Sequence, residues 1–292
     1  MRLYNIKTQQ IELLQPKTDR PLTLLVCGLF PVSGLQLNGI YTLCTADLLT
    51  RYLQMKGWSV QVGLQLTPEI ISQGVTGEQF YAQLSQTMQA LNIRPPDQIF
   101  GKTEDLSQYL DLVFAYGQAE GEEQQAILSR FGWVTNVVAP EVVPTSSDLQ
   151  QPSTIENVLM RWGSDVLRLY LAQYHYRRSW QYDEVMLEKA SKCIEKLNAA
   201  LSAVSSGQRA INVIPALNRF NAAMENDLDT RKGIATLLNL ADEILFRAAN
   251  GYEVKKAQTT LQQLTAVFGL QLQSDTLAHH LTVTNEQTYH RT

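Results

Sequence analysis

The stretch from Leu22 to Leu66 constrains the fold of this chain more than any other. A largely apolar run covers residues 22–27, a loop containing glycine and proline follows, and a helical pattern then continues to Gly57. From Trp58 onward apolar and polar residues alternate, which is typical of a strand. A buried strand, a glycine-containing loop and a helix start together form the corner in which α/β domains bind phosphate groups. The sequence therefore predicts a Rossmann-like α/β domain.

Helical patterns dominate the second half of the chain. After a helix predicted from Gly77 to Leu91 and a strand within residues 131–139, a polar, proline-bounded linker covers residues 140–152. Apolar residues then recur at helical spacing up to Gly269, with short connections, which predicts an antiparallel all-helical bundle. The predicted organisation is a Rossmann-like domain with a short insertion over residues 1–150, a helical bundle over residues 151–270 and a polar tail over residues 271–292.

Charge and cysteine content narrow the classes of function. The net charge of −4 over 292 residues shows that the chain is not basic overall, as many nucleic-acid-binding proteins are. A local basic patch is still compatible with this charge. No secretory leader and no apolar run long enough to cross a membrane is recognised. The three cysteines are widely spaced and form no Cys-x-x-Cys pair. We therefore expect reduced thiols in the cytoplasm, with no membrane partner and no DNA partner.

Several short motifs resemble those of class I cysteinyl-tRNA synthetases. The most specific match begins at Asp165 and follows the family pattern Asp-x-Leu-Arg-Leu-x-Leu-x-x-x-His-Tyr-Arg. Shorter segments also resemble the family, and they lie at Leu3-Tyr4-Asn5, at Cys27-Gly28-Leu29, from Asp47 to Leu53 and from Met224 to Thr230. The resemblance covers most of residues 1–270. It implies a catalytic domain of the class I synthetase type followed by the helical domain of that family.

The side chains that perform the chemistry of that family are absent. Its His-Ile-Gly-His or His-Ile-Gly-Asn signature falls on Gln36-Leu37-Asn38-Gly39, and its Lys-Met-Ser-Lys-Ser loop falls on residues 144–148, which contain no lysine. The family holds zinc through Cys, His and Glu ligands, whereas no Cys or His lies between Cys44 and His175. We therefore expect no zinc, no cofactor and no catalytic residue of the family type. The C-terminal module with which the family reads the anticodon is also missing from the pattern.

Some side chains nevertheless remain candidates for binding. Gln36, Asn38 and the backbone of Gly39 are a possible remnant of the nucleotide site, although turn and cap roles are the simpler interpretation. Cys27 is either a thiol in a pocket or a small buried residue of the sheet. A third possibility is a basic patch that faces RNA phosphates. Its candidate residues are Arg161, His175, Arg177 and Arg178, with Arg168 and Tyr176 in the same stretch of sequence. The alternative is that Arg168 packs inside the bundle junction while Arg177 and Arg178 are solvated.

The leading hypothesis is a non-catalytic cysteinyl-tRNA synthetase-like protein that acts as a binding or assembly module. Its partner would be an unidentified protein or an RNA. One alternative is an altered cysteine-activating ligase that uses tRNA or an amino sugar as acceptor. The mycothiol-forming ligases that resemble the family keep its histidine, lysine and zinc signatures, which argues against that alternative here. The other alternative is an RNA-binding protein without catalysis.

Overall fold

A computed structural model describes residues 1–16, 18–27, 37–65, 77–100, 111–116, 134–137, 155–204 and 207–272, with backbone alone at residues 38, 77–81, 115–116 and 134–137. The strands are β1 Arg2–Asn5, β2 Gln10–Leu13, β3 Leu22–Cys27, β4 Val60–Gln65, β5 Gln98–Phe100, β6 Leu112–Tyr116 and β7 Val134–Val137. The helices are α1 Leu37–Met55, α2 Gly77–Ala90, α3 Ile155–Trp162, α4 Ser164–Ala172, α5 Glu184–Ser202, α6 Ile214–Glu225, α7 Thr230–Ala249 and α8 Lys255–Val267.

A parallel sheet forms the α/β part of the molecule. Its five strands lie in the order β5-β4-β3-β6-β7, and every neighbouring pair is parallel. The central strand β3 is apolar and almost wholly buried, as expected for a parallel strand covered on both faces. The strand order confirms the predicted α/β Rossmann-like class.

Helix α1 lies between the sheet and the helical bundle. Residues 39–50 are all buried, because the helix contacts β3 and β4 as well as α4 and α8. Its threonines remain compatible with burial by donating to the preceding turn, as Thr45 Oγ1 does to Tyr41 O at 2.7 Å and Thr50 Oγ1 to Ala46 O at 2.8 Å. A helix that is buried on every side carries, on each face, either apolar residues or polar residues whose hydrogen bonds are made within the helix.

Caps and packing residues define the bundle. Asp183 begins α5 by accepting a hydrogen bond from Val185 N at 2.9 Å, and Asp229 begins α7 by accepting one from Lys232 N at 3.1 Å. The side-chain amide of Gln258 donates to the final carbonyls of α5, at 3.0 Å from Ala200 O and 2.8 Å from Ala203 O. The predicted all-helical region is thus confirmed.

The main differences from the sequence prediction concern boundaries and one central strand. The sequence pattern predicts this helix from about Gly39 with one apolar face, whereas helix α1 begins at Leu37 and is buried on more than one face. The strand predicted within residues 131–139 is present as β7. Strand β6, next to the centre of the sheet, was missed by sequence reasoning. The predicted linker at residues 140–152 lies outside the described residues, and the domain boundaries stay a prediction. Within the described ranges, no helix is long and apolar enough to cross a membrane.

Candidate functional site

The carboxyl ends of β3 and β6 mark the place where a ligand would bind in this topology. From β3 the chain builds outward through β4 to β5, whereas β6 and β7 lie on the other side of β3. Open parallel sheets bind ligands outside the strand ends at such a reversal. Cys27 ends β3 opposite Ala115 of β6, and α1 begins at Leu37. The candidate site is therefore this strand edge together with the first turn of α1.

The predicted nucleotide-site remnant is only partly described. Gly39 is buried in the first turn of α1, where backbone N–H groups lack helical acceptors. The side chain of Asn38 and all of Gln36 lie outside the described residues. The predicted remnant therefore stays a prediction, resting on the backbone of the helix start.

Cys27 and the metal question can be addressed more directly. Cys27 is 1% exposed, which fits a small buried residue of the sheet, and the pocket-thiol interpretation stays untested. None of the three cysteines is in a disulfide. In the part of the chain that the structure describes, no three His, Cys, Asp or Glu side chains come together as metal ligands. The described residues do not fit the zinc ion of the synthetase family.

A buried ion pair connects the sheet to the bundle. Arg168 of α4 donates from Nη2 to Asp47 Oδ2 of α1 at 2.6 Å, and both side chains are nearly inaccessible, at 2% and 3% exposure. The same guanidinium donates from Nη1 to Leu91 O at 2.7 Å and from Nε to Phe268 O at 2.6 Å. Those two carbonyls follow the last turns of α2 and α8, where helix dipoles place negative charge. Arg168 thus joins segments from α1, α2 and α8, and the packing interpretation of this residue is confirmed.

Further contacts extend this connection, which we call the Asp47–Arg168 clamp. Arg51 donates from Nε to Asp47 Oδ2 at 2.7 Å and from Nη2 to Asn92 O at 2.6 Å. Asn92 Nδ2 in turn donates to Gly269 O at 2.8 Å. Burial alone would raise the pKa of Asp47, but Arg168 and Arg51 outweigh it, so the pKa lies below its ordinary value. The carboxylate is therefore held in its charged form.

A second buried carboxylate organises the predicted RNA-facing residues. Asp227 lies in the turn before α7 with φ of 56°, a conformation that favours Asn and Asp among non-glycine residues. It accepts hydrogen bonds from Tyr4 N at 2.9 Å, from Arg177 Nε at 2.8 Å and from the Tyr176 hydroxyl. Burial raises the pKa of Tyr176, so its hydroxyl stays a neutral donor. The turn at Asp227 thereby joins β1 to the segment after α4.

His175 and Arg177 therefore face a carboxylate. His175 Nε2 lies 3.7 Å from Asp227 Oδ2, and Arg177 Cζ lies 4.4 Å from the centre of the Tyr4 ring. Burial lowers the pKa of His175 below its ordinary value, and Asp227 offsets this only in part. This histidine is therefore poised toward its neutral form.

Of the other two predicted RNA-facing residues, Arg178 adjoins this group, because its backbone N–H donates to His175 O at 2.9 Å, whereas Arg161 has partners of its own. Arg161 is exposed, pairs with Glu184 at 3.1 Å and lies over the Trp162 ring. Arg178 is exposed. The structure brings His175 and Arg177 together around Asp227, but no contact within the described residues joins Arg161 to them. That these residues face RNA stays a prediction.

Sequence reasoning missed the roles of Asp47 and Asp227. Both had been noted only as parts of longer motifs. An available signal was the position of Asp47 among the apolar residues of a helix, because an acidic residue there requires a buried partner. For Asp227 the signal was weaker, because an acidic turn before a helix is normally read as a cap.

Comparisons with known proteins agree with this architecture. A DALR domain model matches residues 219–273. A cysteine–tRNA ligase from Dichelobacter nodosus is 35% identical over 117 residues, which are 40% of this chain and 25% of that protein. One from Burkholderia ambifaria is 32% identical over 155 residues, which are 52% of this chain and 32% of that protein. The matched region thus spans a third or less of these relatives.

A solved structure shows the fold alone. A candidate arginyl-tRNA synthetase from Campylobacter jejuni superposes with a TM-score of 0.53, covering 89% of this chain and 95% of that chain at 10% identity. Its coverage includes both the sheet and the bundle, which supports a synthetase-like α/β domain followed by a helical region. The sequence matches and the DALR domain together show that the chain is related to the cysteinyl-tRNA synthetase family.

Proposed function

We propose that this protein is a non-catalytic relative of cysteinyl-tRNA synthetase that acts as a binding or assembly module in the cytoplasm. The observation that carries the proposal is a contrast within α1. The middle of this helix contains the Asp47–Arg168 clamp that joins the sheet to the bundle. The family signature that ends in its first turn has Gln36 at its first histidine position and Gly39 at its last position. The joint between the domains is retained, and the phosphate-activating side chains are not.

The chemistry of amino-acid activation explains why this contrast matters. Attack of a carboxylate on the α-phosphate of ATP builds negative charge on phosphate oxygens, which must be stabilised by preorganised donors. Loss of one such donor typically costs about 10²–10³ in rate. Here the imidazoles and the two ammonium groups of the family signatures are replaced by uncharged residues. Adenylate formation by the family mechanism is therefore not expected.

Nucleotide binding without catalysis is compatible with the proposal. The N–H groups in the first turn of α1 depend on the backbone and survive any change of side chain. The 19-residue length of α1 adds a helix dipole at the reversal point of the sheet. A weak anion site at Gly39 is the part of the ancestral function that we expect to remain.

The test is isotope exchange between pyrophosphate and ATP with the purified protein, with and without cysteine. We expect exchange at the background of a protein-free control. A matched pair of variants, Gln36→Ala and Asn38→Ala, should leave that background unchanged. Cysteine-dependent exchange that disappears in either variant would overturn the proposal and favour the altered-ligase alternative. Retention of tRNA on the protein without exchange would favour the RNA-binding alternative.

A further inference from the structure

The end of the bundle opposite the antiparallel pair of β1 and β2 carries an unusual surface. Helix α7 starts at Thr230, near Asp227 and β1, and ends at Ala249, which a rise of about 1.5 Å per residue places roughly 30 Å away. Two connections meet there, one after α5 and one after α7. Glu253 N donates to Arg209 O at 3.0 Å, and a Cβ atom added at Gly207 would lie 1.7 Å from Gly251 O. This close contact gives the far end a defined platform.

Positive charge collects on this platform. Arg247 Cζ lies 4.6 Å and Arg209 Cζ lies 5.4 Å from the centre of the Tyr252 ring. Lys255 and Lys256 are exposed in the first turn of α8. We call these four cations and Tyr252 the basic tip. Its sign is opposite to the net charge of −4 carried by the whole chain.

Stability does not explain the two lysines. The N-terminus of a helix carries partial positive charge, so cations in its first turn are mildly destabilising. Neither Lys255 nor Lys256 pairs with a carboxylate of the described residues. The nearest acids are engaged otherwise, because Glu253 accepts a hydrogen bond from Lys255 N and Glu243 lies 3.8 Å from Arg247 Nε. Residues that oppose local stability are expected at functional sites.

Apolar side chains are exposed beside the basic tip. Phe246 precedes Arg247 in the last turn of α7 and is 64% exposed, and Val204 follows α5 and is 91% exposed. Val204 is held near α8, since its neighbour Ala203 accepts a hydrogen bond from Gln258 at 2.8 Å. Aromatic residues and arginine are enriched at the centres of protein interfaces. An aliphatic side chain offers no stacking face to a nucleic acid base, so Val204 favours an apolar polypeptide partner over RNA.

We propose that the basic tip, with Phe246 and Val204, is a docking surface for an acidic polypeptide segment. Apolar side chains of the partner would cover Phe246 and Val204, and its carboxylates would lie over Lys255, Lys256, Arg209 and Arg247. The assignment rests on the proposed function as a binding module and gives that module a surface and a partner chemistry. It does not depend on the strand edge near Cys27, which lies in the other part of the molecule.

The experiment is a selection of peptides on the full chain. A random 16-residue peptide library is panned on the wild-type protein and depleted on a variant carrying Lys255→Glu and Lys256→Glu. Enriched peptides are then measured by fluorescence anisotropy against wild type, against Phe246→Ser and against a control with Lys189→Glu and Lys192→Glu. The control introduces the same charge change at exposed positions of α5. A 20-nucleotide RNA and total tRNA are measured in parallel, and thermal melts check that each variant is folded.

We expect peptides rich in Asp, Glu and large apolar residues, with binding at least tenfold weaker in the Lys255/Lys256 and Phe246 variants and unchanged in the α5 control. Binding should weaken as salt rises from about 0.05 to 0.5 M. Recovery of no tip-dependent peptide, or of peptides without acidic residues, would overturn the proposal. Tip-dependent binding of RNA in place of peptide would reassign the surface to nucleic acid. Exchange activity, measured separately, decides the proposed function and leaves this result unaffected.

Discussion

Replacing Arg168 with methionine should destabilise the protein strongly, because it removes the centre of the clamp. Methionine keeps the length of the side chain but none of the donors. Asp47 would lose its 2.6 Å partner, and Leu91 O and Phe268 O would lose theirs at 2.7 and 2.6 Å. Removing one partner of a buried ion pair typically costs about 3–5 kcal/mol. The expected loss in free energy of unfolding is of that order, or roughly 6 to 20 °C in melting temperature for a chain of this size.

The measurement is urea unfolding followed by circular dichroism, with thermal melts as a second readout. Arg178→Met is the matched control, because Arg178 is ten residues along the same segment, carries the same charge and is exposed. Exposed substitutions away from special features usually change stability by less than about 0.5 kcal/mol. The difference between the two variants therefore isolates burial and hydrogen bonding from the loss of one positive charge.

A double-mutant cycle tests the reasoning more strictly. The double variant carries Asp47→Asn and Arg168→Met. It contains no buried carboxylate that has lost its guanidinium partner, so its loss in free energy of unfolding should be smaller than the sum of the losses in the two single variants. Coupling between residues in direct contact is commonly about 0.5–3 kcal/mol. Additive losses, or an Arg168→Met variant within about 1 kcal/mol of Arg178→Met, would refute the view that this ion pair joins the sheet to the bundle.

Two smaller perturbations probe the clamp and the contacts of Asp227. Gly269→Ala should lower the free energy of unfolding clearly more than Gly57→Ala. Both glycines have a positive φ, 69° and 82° respectively. A Cβ atom at Gly269 would lie 2.2 Å from Arg168 Nη2, whereas one at Gly57 would meet nothing within 4 Å. Equal losses would show that the guanidinium moves away without cost. His175 has a folded pKa below its unfolded one. Its neutral form therefore contributes stability above about pH 6.5, and this is lost as pH falls from that value through the lower folded pKa. His175→Gln should flatten the fall in urea midpoint between about pH 7.5 and 5.5; an unchanged slope would assign the titration to other groups.

The elements that repeat a simple pattern could be predicted from the sequence. The apolar run of β3 and the helical spacing of the bundle specify burial on their own. Asp229 and Pro215 lie at the starts of their helices as their chemistry requires. Strand β6 was missed because its five residues, Leu112–Tyr116, are too short to separate a strand from a helix turn by periodicity.

The clamp could not have been predicted in the same way. Its donor and acceptor are 121 residues apart in the chain, and two of its acceptors are main-chain carbonyls whose exposure depends on where α2 and α8 end. Side-chain type alone did not decide whether Arg168 was buried or solvated. Likewise, Arg177 was expected to be solvated or to face RNA, and only the position of the turn at Asp227 shows that it has an internal partner.

If the protein is non-catalytic, as we propose, the position of the clamp explains how the fold could persist without the chemistry of the family. Asp47 lies about 15 Å beyond the start of α1 at a rise of about 1.5 Å per residue, and its partners come from α4 and from the ends of α2 and α8. None of these groups belongs to Gln36 or to residues 144–148. Changes at the signature positions would therefore leave the connection between sheet and bundle intact. A surface at the far end of the bundle, such as the basic tip, would remain presented on a stable scaffold when selection on adenylate formation is lost.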